Sequence, residues 1–140
     1  MEAVDSSCSP TILVVDDSPT VLAFVRKILT GCGYAVVTVV SFEELELAMR
    51  RHTPDAVVLD LEMPPHTGRE AATMIGRLAD KKIPIIVYSS KPDREIRTAA
   101  YAVGAHGYLR KGGDPAELVY MVRSAVTGTS LAPPWGPTEG

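Results

Sequence analysis

Cysteine, surplus charge and long apolar runs are all scarce in this chain, and each shortage closes a class of explanation. Two cysteines, Cys8 and Cys32, in 140 residues supply neither a disulfide framework nor a metal-ligand set, and in a reducing compartment they read as free thiols. A net charge of −3 gives no global attraction to nucleic acid, so direct nucleic-acid binding is not expected. No apolar run approaches the roughly 20 residues of a membrane-spanning helix. Met1 to Ser9 carries Glu2 and Asp5 rather than the basic-then-apolar pattern of a secretory signal. Cytoplasmic residence, without membrane attachment, is the resulting expectation. What remains is 46% hydrophobic, enough for one compact domain with its own core. The boundaries expected are an N-terminal tail over 1–10, a domain over 11–128 and a flexible Pro/Gly-rich tail over 129–140, where Pro133-Pro134 and Pro137 fall.

Within that domain, short β-branched runs alternate with helical patterns. The runs Ile12–Val15, Ala35–Val40, Ala56–Leu59, Ile83–Tyr88 and Gly107–Arg110 predict five strands. Ser18 before Pro19 can start a helix carrying Val21, Leu22, Val25, Ile28 and Leu29 inward, with Gly31 as its end. Ser41 and Glu44 have capping-box spacing ahead of Phe42, Leu45, Ala48 and Met49. Ala71, Met74, Ile75 and Leu78 predict a third helix over about Gly68 to Asp80. Ile96, Ala99, Ala100 and Val103 predict a fourth that ends at Gly104. Asp114-Pro115 opens a fifth, with Leu118, Val122 and Ala125 inward. Five βα units in succession give an α/β, doubly wound parallel sheet. Four of the strands stop at polar residues: Asp16-Asp17, Asp60, Ser89 and Lys111. Ligands of open α/β sheets bind at the carboxyl ends of strands, so these four stops describe one site.

In order and spacing, Asp16-Asp17, Asp60, Met63-Pro64, Gly68, Ser89 and Tyr108-x-x-Lys111 resemble the receiver domain of bacterial two-component response regulators, single-domain chemotaxis receivers among them. The resemblance covers about Thr11 to Gly128. It implies a flavodoxin-like (βα)5 fold with strand order 2-1-3-4-5 and a phosphoryl-accepting aspartate at Asp60. It implies Mg²⁺ (or Mn²⁺) held by Asp16, Asp17, Asp60 and the backbone carbonyl of Glu62, with Ser89 and Lys111 contacting the phosphoryl group. It also implies a switch aromatic at Tyr108 and control of phosphoryl lifetime by Glu62 and Lys91. Gly112 stands where the family usually has proline in a cis linkage; a non-proline cis bond costs several kcal/mol, which favours a trans linkage here. His66 and Arg69 occupy positions that are commonly apolar in the family.

The chemistry also follows from the residue types. Two carboxylates about 4 Å apart repel by roughly 1 to 4 kcal/mol, depending on local dielectric. A divalent cation removes that repulsion, and an all-oxygen site suits Mg²⁺ or Mn²⁺. Asp60 can then act as nucleophile toward a phosphoryl donor, with the cation and Lys111 facing the equatorial oxygens and the Ser89 hydroxyl donating to one of them. A donor phosphohistidine needs no general base.

The expected protein is therefore a phospho-accepting signalling switch rather than an enzyme with a separate substrate: it catalyses only its own phosphorylation and dephosphorylation. Its partners would be a sensor histidine kinase or phosphotransfer protein and a downstream protein target, and the reading admits a phosphorylation-dependent homodimer. The stretch after Gly128 is too short and proline-rich for a DNA-binding domain, so a stand-alone receiver is expected, with a fragment of a larger regulator as the alternative. A Mg²⁺-dependent phosphatase on a similar sheet would need a second acid two residues after a nucleophile on the first strand, where Ser18 stands. A phosphorylation-independent docking module would have no use for all three acids, Ser89 and Lys111 together.

Overall fold

The computed structural model describes residues 9–128; apart from Ser9 and Pro10, the two expected tails lie outside the described residues. The main sheet has five parallel strands, β1 (Thr11–Val15), β2 (Ala35–Val39), β3 (Ala56–Leu59), β6 (Ile85–Ser89) and β7 (Gly107–Arg110), in the order β2-β1-β3-β6-β7. The two-residue strands β4 (Glu62–Met63) and β5 (His66–Thr67) pair antiparallel as a separate hairpin. Counting main-sheet strands alone, the order is the expected 2-1-3-4-5, and the fold is flavodoxin-like.

Alternation along the strands divides the core in two. Ile12, Val14, Val58, Ile86 and Tyr88 face α1 (Pro19–Gly31) and α5 (Pro115–Thr127), which contribute Leu22, Val25, Leu29, Leu118, Val122 and Ala125. Leu13, Val15, Val57, Leu59, Ile85 and Val87 face α2 (Phe42–Arg51), α3 (Gly68–Leu78) and α4 (Asp93–Ala102). Successive side chains point to opposite faces, so a strand buried on both sides must be apolar throughout; β3 is, as Ala-Val-Val-Leu. Truncating Leu13 or Leu59, both fully buried, to alanine would cost about 2–5 kcal/mol.

Helix starts follow the cap residues. Ser18 Oγ accepts from the Val21 N–H at 3.3 Å and Asp114 Oδ1 from Ala116 at 2.9 Å, each just ahead of a proline at the first helical position. Ser41 accepts from the Glu44 N–H, but the Glu44 carboxylate accepts from Val40 rather than Ser41. The expected box at that helix is therefore half formed. The reciprocal box belongs to α3, where Thr67 and Glu70 exchange both bonds.

Several boundaries differ from the sequence expectations. The first helix does end at Gly31 as expected, but the left-handed turn falls on Gly33, at φ 94°, where the missing Cβ removes the steric penalty. The second strand stops at Val39, leaving Val40 exposed. The third helix stops at Leu78 because Ala79 turns to extended backbone. The fourth strand of the sheet begins at Ile85 rather than Ile83, although the Pro84 carbonyl still accepts from Val57 at 3.0 Å.

Candidate functional site

The parallel register brings the acids together. Val15 lies beside Leu59, and the next step of that ladder is the Asp60 N–H donating to the Val15 carbonyl at 2.9 Å. Asp16 and Asp60 consequently leave adjacent strands side by side, both buried, while Asp17 is exposed. A carboxylate oxygen from each of Asp16, Asp17 and Asp60 lies within 4.8 Å of the others.

Each buried acid is held by a nearby backbone donor. The Ser18 N–H donates to Asp16 Oδ1 at 2.9 Å, and the Glu62 N–H to Asp60 Oδ1 at 3.1 Å. Lys111 reaches across with its Nζ 2.7 Å from Asp16 Oδ2 and 3.5 Å from Asp60 Oδ2. Its own N–H donates to the Ser89 carbonyl at 2.8 Å, which fixes the base of that side chain. The Lys111–Gly112 linkage is trans, and Gly112 takes a left-handed φ of 91°.

These charges are unequally compensated. Burial pushes the Asp60 carboxyl up to about 6; the Glu62 N–H and Lys111 oppose the rise, while Asp16 and Asp17 add to it. Burial pulls the Lys111 ammonium down, but its bonds and charge contacts with Asp16 and Asp60 more than offset this, so it lies above its ordinary value. With one ammonium facing three carboxylates, the site retains excess negative charge. A hard divalent cation fits the donor set: three carboxylates, all oxygen, already converged.

An open cavity of about 740 Å³ lies over the acids, walled by Glu62, Pro65, His66 and Ser90 among others. Ser89 ends β6 as expected but is fully buried, and its Oγ accepts from the Lys91 N–H at 3.1 Å. The neighbouring Ser90 is among the residues lining the cavity, a position the sequence reading did not single out. Glu62 pairs with Lys91 at 2.8 Å, and Lys91 lies 3.8 Å from Glu95. The Lys91 ammonium is raised, first by its bond to Glu62.

Tyr108 sits half-buried on β7 and donates its hydroxyl to Asp93 Oδ2, at the start of α4, at 3.3 Å. It lines a groove of about 950 Å³ with Asp93, Tyr120 and Met121; Ser90 and Lys111 wall both this groove and the acidic cavity. Tyr101 and Tyr120 are exposed, at 54% and 60%. His66, an unexplained polar residue in the sequence, stacks on Phe42 with ring centroids 3.9 Å apart.

Residues 12–123 match the family model of the response regulator receiver domain. The chain is 37% identical over 116 residues to the transcriptional regulatory protein PrrA of Mycobacterium tuberculosis, covering 83% of this chain and 49% of that protein. It is 33% identical over 122 residues to the transcriptional regulatory protein KdpE of the same species, covering 86% of this chain and 53% of that one. The chain thus spans about half the length of the curated relatives it matches. Among solved structures, a two-component response regulator of the LuxR family from Aurantimonas is 34% identical with a TM-score of 0.75, covering 86% of each chain. The chemotaxis protein CheY4 of Vibrio cholerae is 27% identical with a TM-score of 0.76, covering 84% of this chain and 99% of that one.

Proposed function

Because the chain belongs to the response regulator receiver domain family, we propose that it is a phosphorylation-controlled switch that takes a phosphoryl group from a histidine kinase or phosphotransfer protein onto Asp60. The observation that carries this reading is Asp60 itself, buried beside Asp16 and Asp17 with Lys111 3.5 Å away. A carboxyl titrating at about 6 is mostly ionised at neutral pH, so its oxygen can attack the donor phosphorus. The phosphorus–nitrogen bond to the donor imidazole breaks, and its electron pair leaves with the ring. Lys111 offers N–H donors to the transferring oxygens. Ser89, whose Oγ already accepts from Lys91, keeps its own proton to donate. Mg²⁺ (or Mn²⁺), held by Asp16, Asp17, Asp60 and the Glu62 backbone carbonyl, would neutralise the carboxylates and the charge on the transferring group.

The receiver comprises residues 11–128 and acts in the cytoplasm as a switch, catalysing no reaction beyond its own phosphorylation and dephosphorylation. Glu62, paired with Lys91 at the cavity wall, tunes the lifetime of the phosphoryl group. Output runs through the α4-β7-α5 face, where Tyr108 repacks and Arg97, Tyr101 and Tyr120 meet a downstream protein or a second copy. The half-length match to transcriptional regulators favours a second reading of context, in which this receiver controls an output domain in a longer regulator. Hydroxylamine separates the chemistries: an adduct formed with acetyl phosphate and Mg²⁺ should be removed by it, as acyl phosphates are, whereas a resistant adduct would be a phosphoester and would overturn the assignment.

A further inference from the structure

The loop after Asp60 is held from two sides. Glu62, whose N–H orients Asp60 Oδ1, opens the β4–β5 hairpin, where Glu62 pairs with Thr67 and Met63 with His66. On one side α3 lies close against the loop: a Cβ on Gly68 would meet the Leu61 side chain at 2.6 Å and its Cα at 3.3 Å, so a larger residue there would make Leu61 shift. On the other side His66 stacks on Phe42 at 3.9 Å with the ring planes 18° apart, and Phe42 is packed against the core beneath α2. His66 Nδ1 also lies 3.5 Å from Glu70, the carboxylate that caps α3. The hairpin carrying the backbone next to Asp60 is thereby tied to two helices.

We propose that Phe42 and His66 are positioning residues for the acidic site: their stack fixes the β4–β5 hairpin, and through Glu62 it sets how tightly Asp16, Asp17 and Asp60 hold a divalent cation. Neither ring touches the cation. Each acts by restricting the loop that aims Asp60 and the Glu62 backbone, so loosening it costs affinity through lost preorganisation. This rests on the reading of the acidic cluster as a Mg²⁺ site.

The test is Mg²⁺ affinity, measured directly by following backbone amide shifts during titration, for wild type, His66→Ala, His66→Phe and Phe42→Leu. His66→Ala should bind about three- to tenfold more weakly, the scale of one stacked aromatic pair. His66→Phe should return to wild-type affinity, because it keeps the stack and loses only the Glu70 contact. Phe42→Leu keeps an apolar group against the core and should weaken binding as His66→Ala does. Phosphorylation at saturating Mg²⁺ should be unchanged in all of them. Unaltered affinity in His66→Ala and Phe42→Leu would overturn the proposal, as would equal weakening in His66→Ala and His66→Phe. If wild type itself takes up no Mg²⁺, the metal reading fails first, and that result is distinguishable from these. Should His66→Ala fail to fold, Phe42→Leu and His66→Phe still decide between the outcomes.

Discussion

Replacing Asp60 with asparagine should stabilise the metal-free protein, and the gain should depend on pH in a defined direction. The folded protein holds the Asp60 proton up to about 6, against an ordinary value of 3.8. Folded protein therefore binds this proton more tightly than unfolded chain does, and unfolding free energy falls as pH rises from 3.8 through about 6. The cost is absent below the lower value and fully present above the upper one. Roughly two pH units at about 1.4 kcal/mol each set a ceiling near 3 kcal/mol. Asparagine can still accept the Glu62 N–H, but Lys111 loses one of its two carboxylates, which leaves a net gain of about 1–2 kcal/mol above pH 7. With a urea slope of about 1–3 kcal/mol/M, the midpoint should rise by roughly 0.5–1 M. The assay is urea unfolding of both proteins in EDTA at several pH values, followed by circular dichroism. The difference should shrink toward pH 4, and saturating Mg²⁺ should reverse it by stabilising wild type alone. An Asp60→Asn protein no more stable than wild type at neutral pH in EDTA would refute the claim that this carboxylate is held against its own electrostatics.

Other perturbations separate the remaining roles. Asp17→Ala removes the exposed member of the carboxylate cluster and should weaken Mg²⁺ binding about tenfold or more, with Asp16→Ala doing the same; calorimetric titration showing equal affinity in wild type and Asp17→Ala would take Asp17 out of the metal site. Lys91→Ala breaks the 2.8 Å pair with Glu62 and should change the rate of phosphoryl loss without moving the urea midpoint, since the group is exposed. Identical decay curves would contradict it. Tyr108→Ala removes the ring tethered to Asp93; it should still be phosphorylated yet lose phosphorylation-dependent binding or self-association. Retention of the full change in binding would dispose of the aromatic switch.

Much of this architecture is written in short-range patterns. Ser18-Pro19 and Asp114-Pro115 mark helix starts because cap hydrogen bonding and proline geometry are local. The acids were legible because a parallel sheet carries every strand end to one edge, so Asp16, Asp17, Asp60 and Lys111 converge with no knowledge of their side-chain torsions. What was not legible turns on fine local geometry or on a partner distant in sequence. Glu44 chose the Val40 N–H over that of Ser41, a difference of one residue in loop geometry. Ser89 is fully buried while Ser90, one step on, lines the cavity, a division the doublet does not show in sequence. The β4–β5 hairpin is two residues per strand, too short for any periodicity. His66 finds Phe42 across 24 positions of chain, and nothing near His66 in the sequence announces that ring.

The central claim is that Asp60 accepts a phosphoryl group, and intact-mass analysis after exposure to acetyl phosphate and Mg²⁺ tests it most directly, on wild type and Asp60→Asn side by side. Wild type should gain a single phosphoryl mass that fragmentation assigns to Asp60 and that EDTA prevents. Asp60→Asn should gain none. An undiminished adduct in Asp60→Asn, or a wild type that stays unmodified under conditions where it binds Mg²⁺, would contradict the assignment.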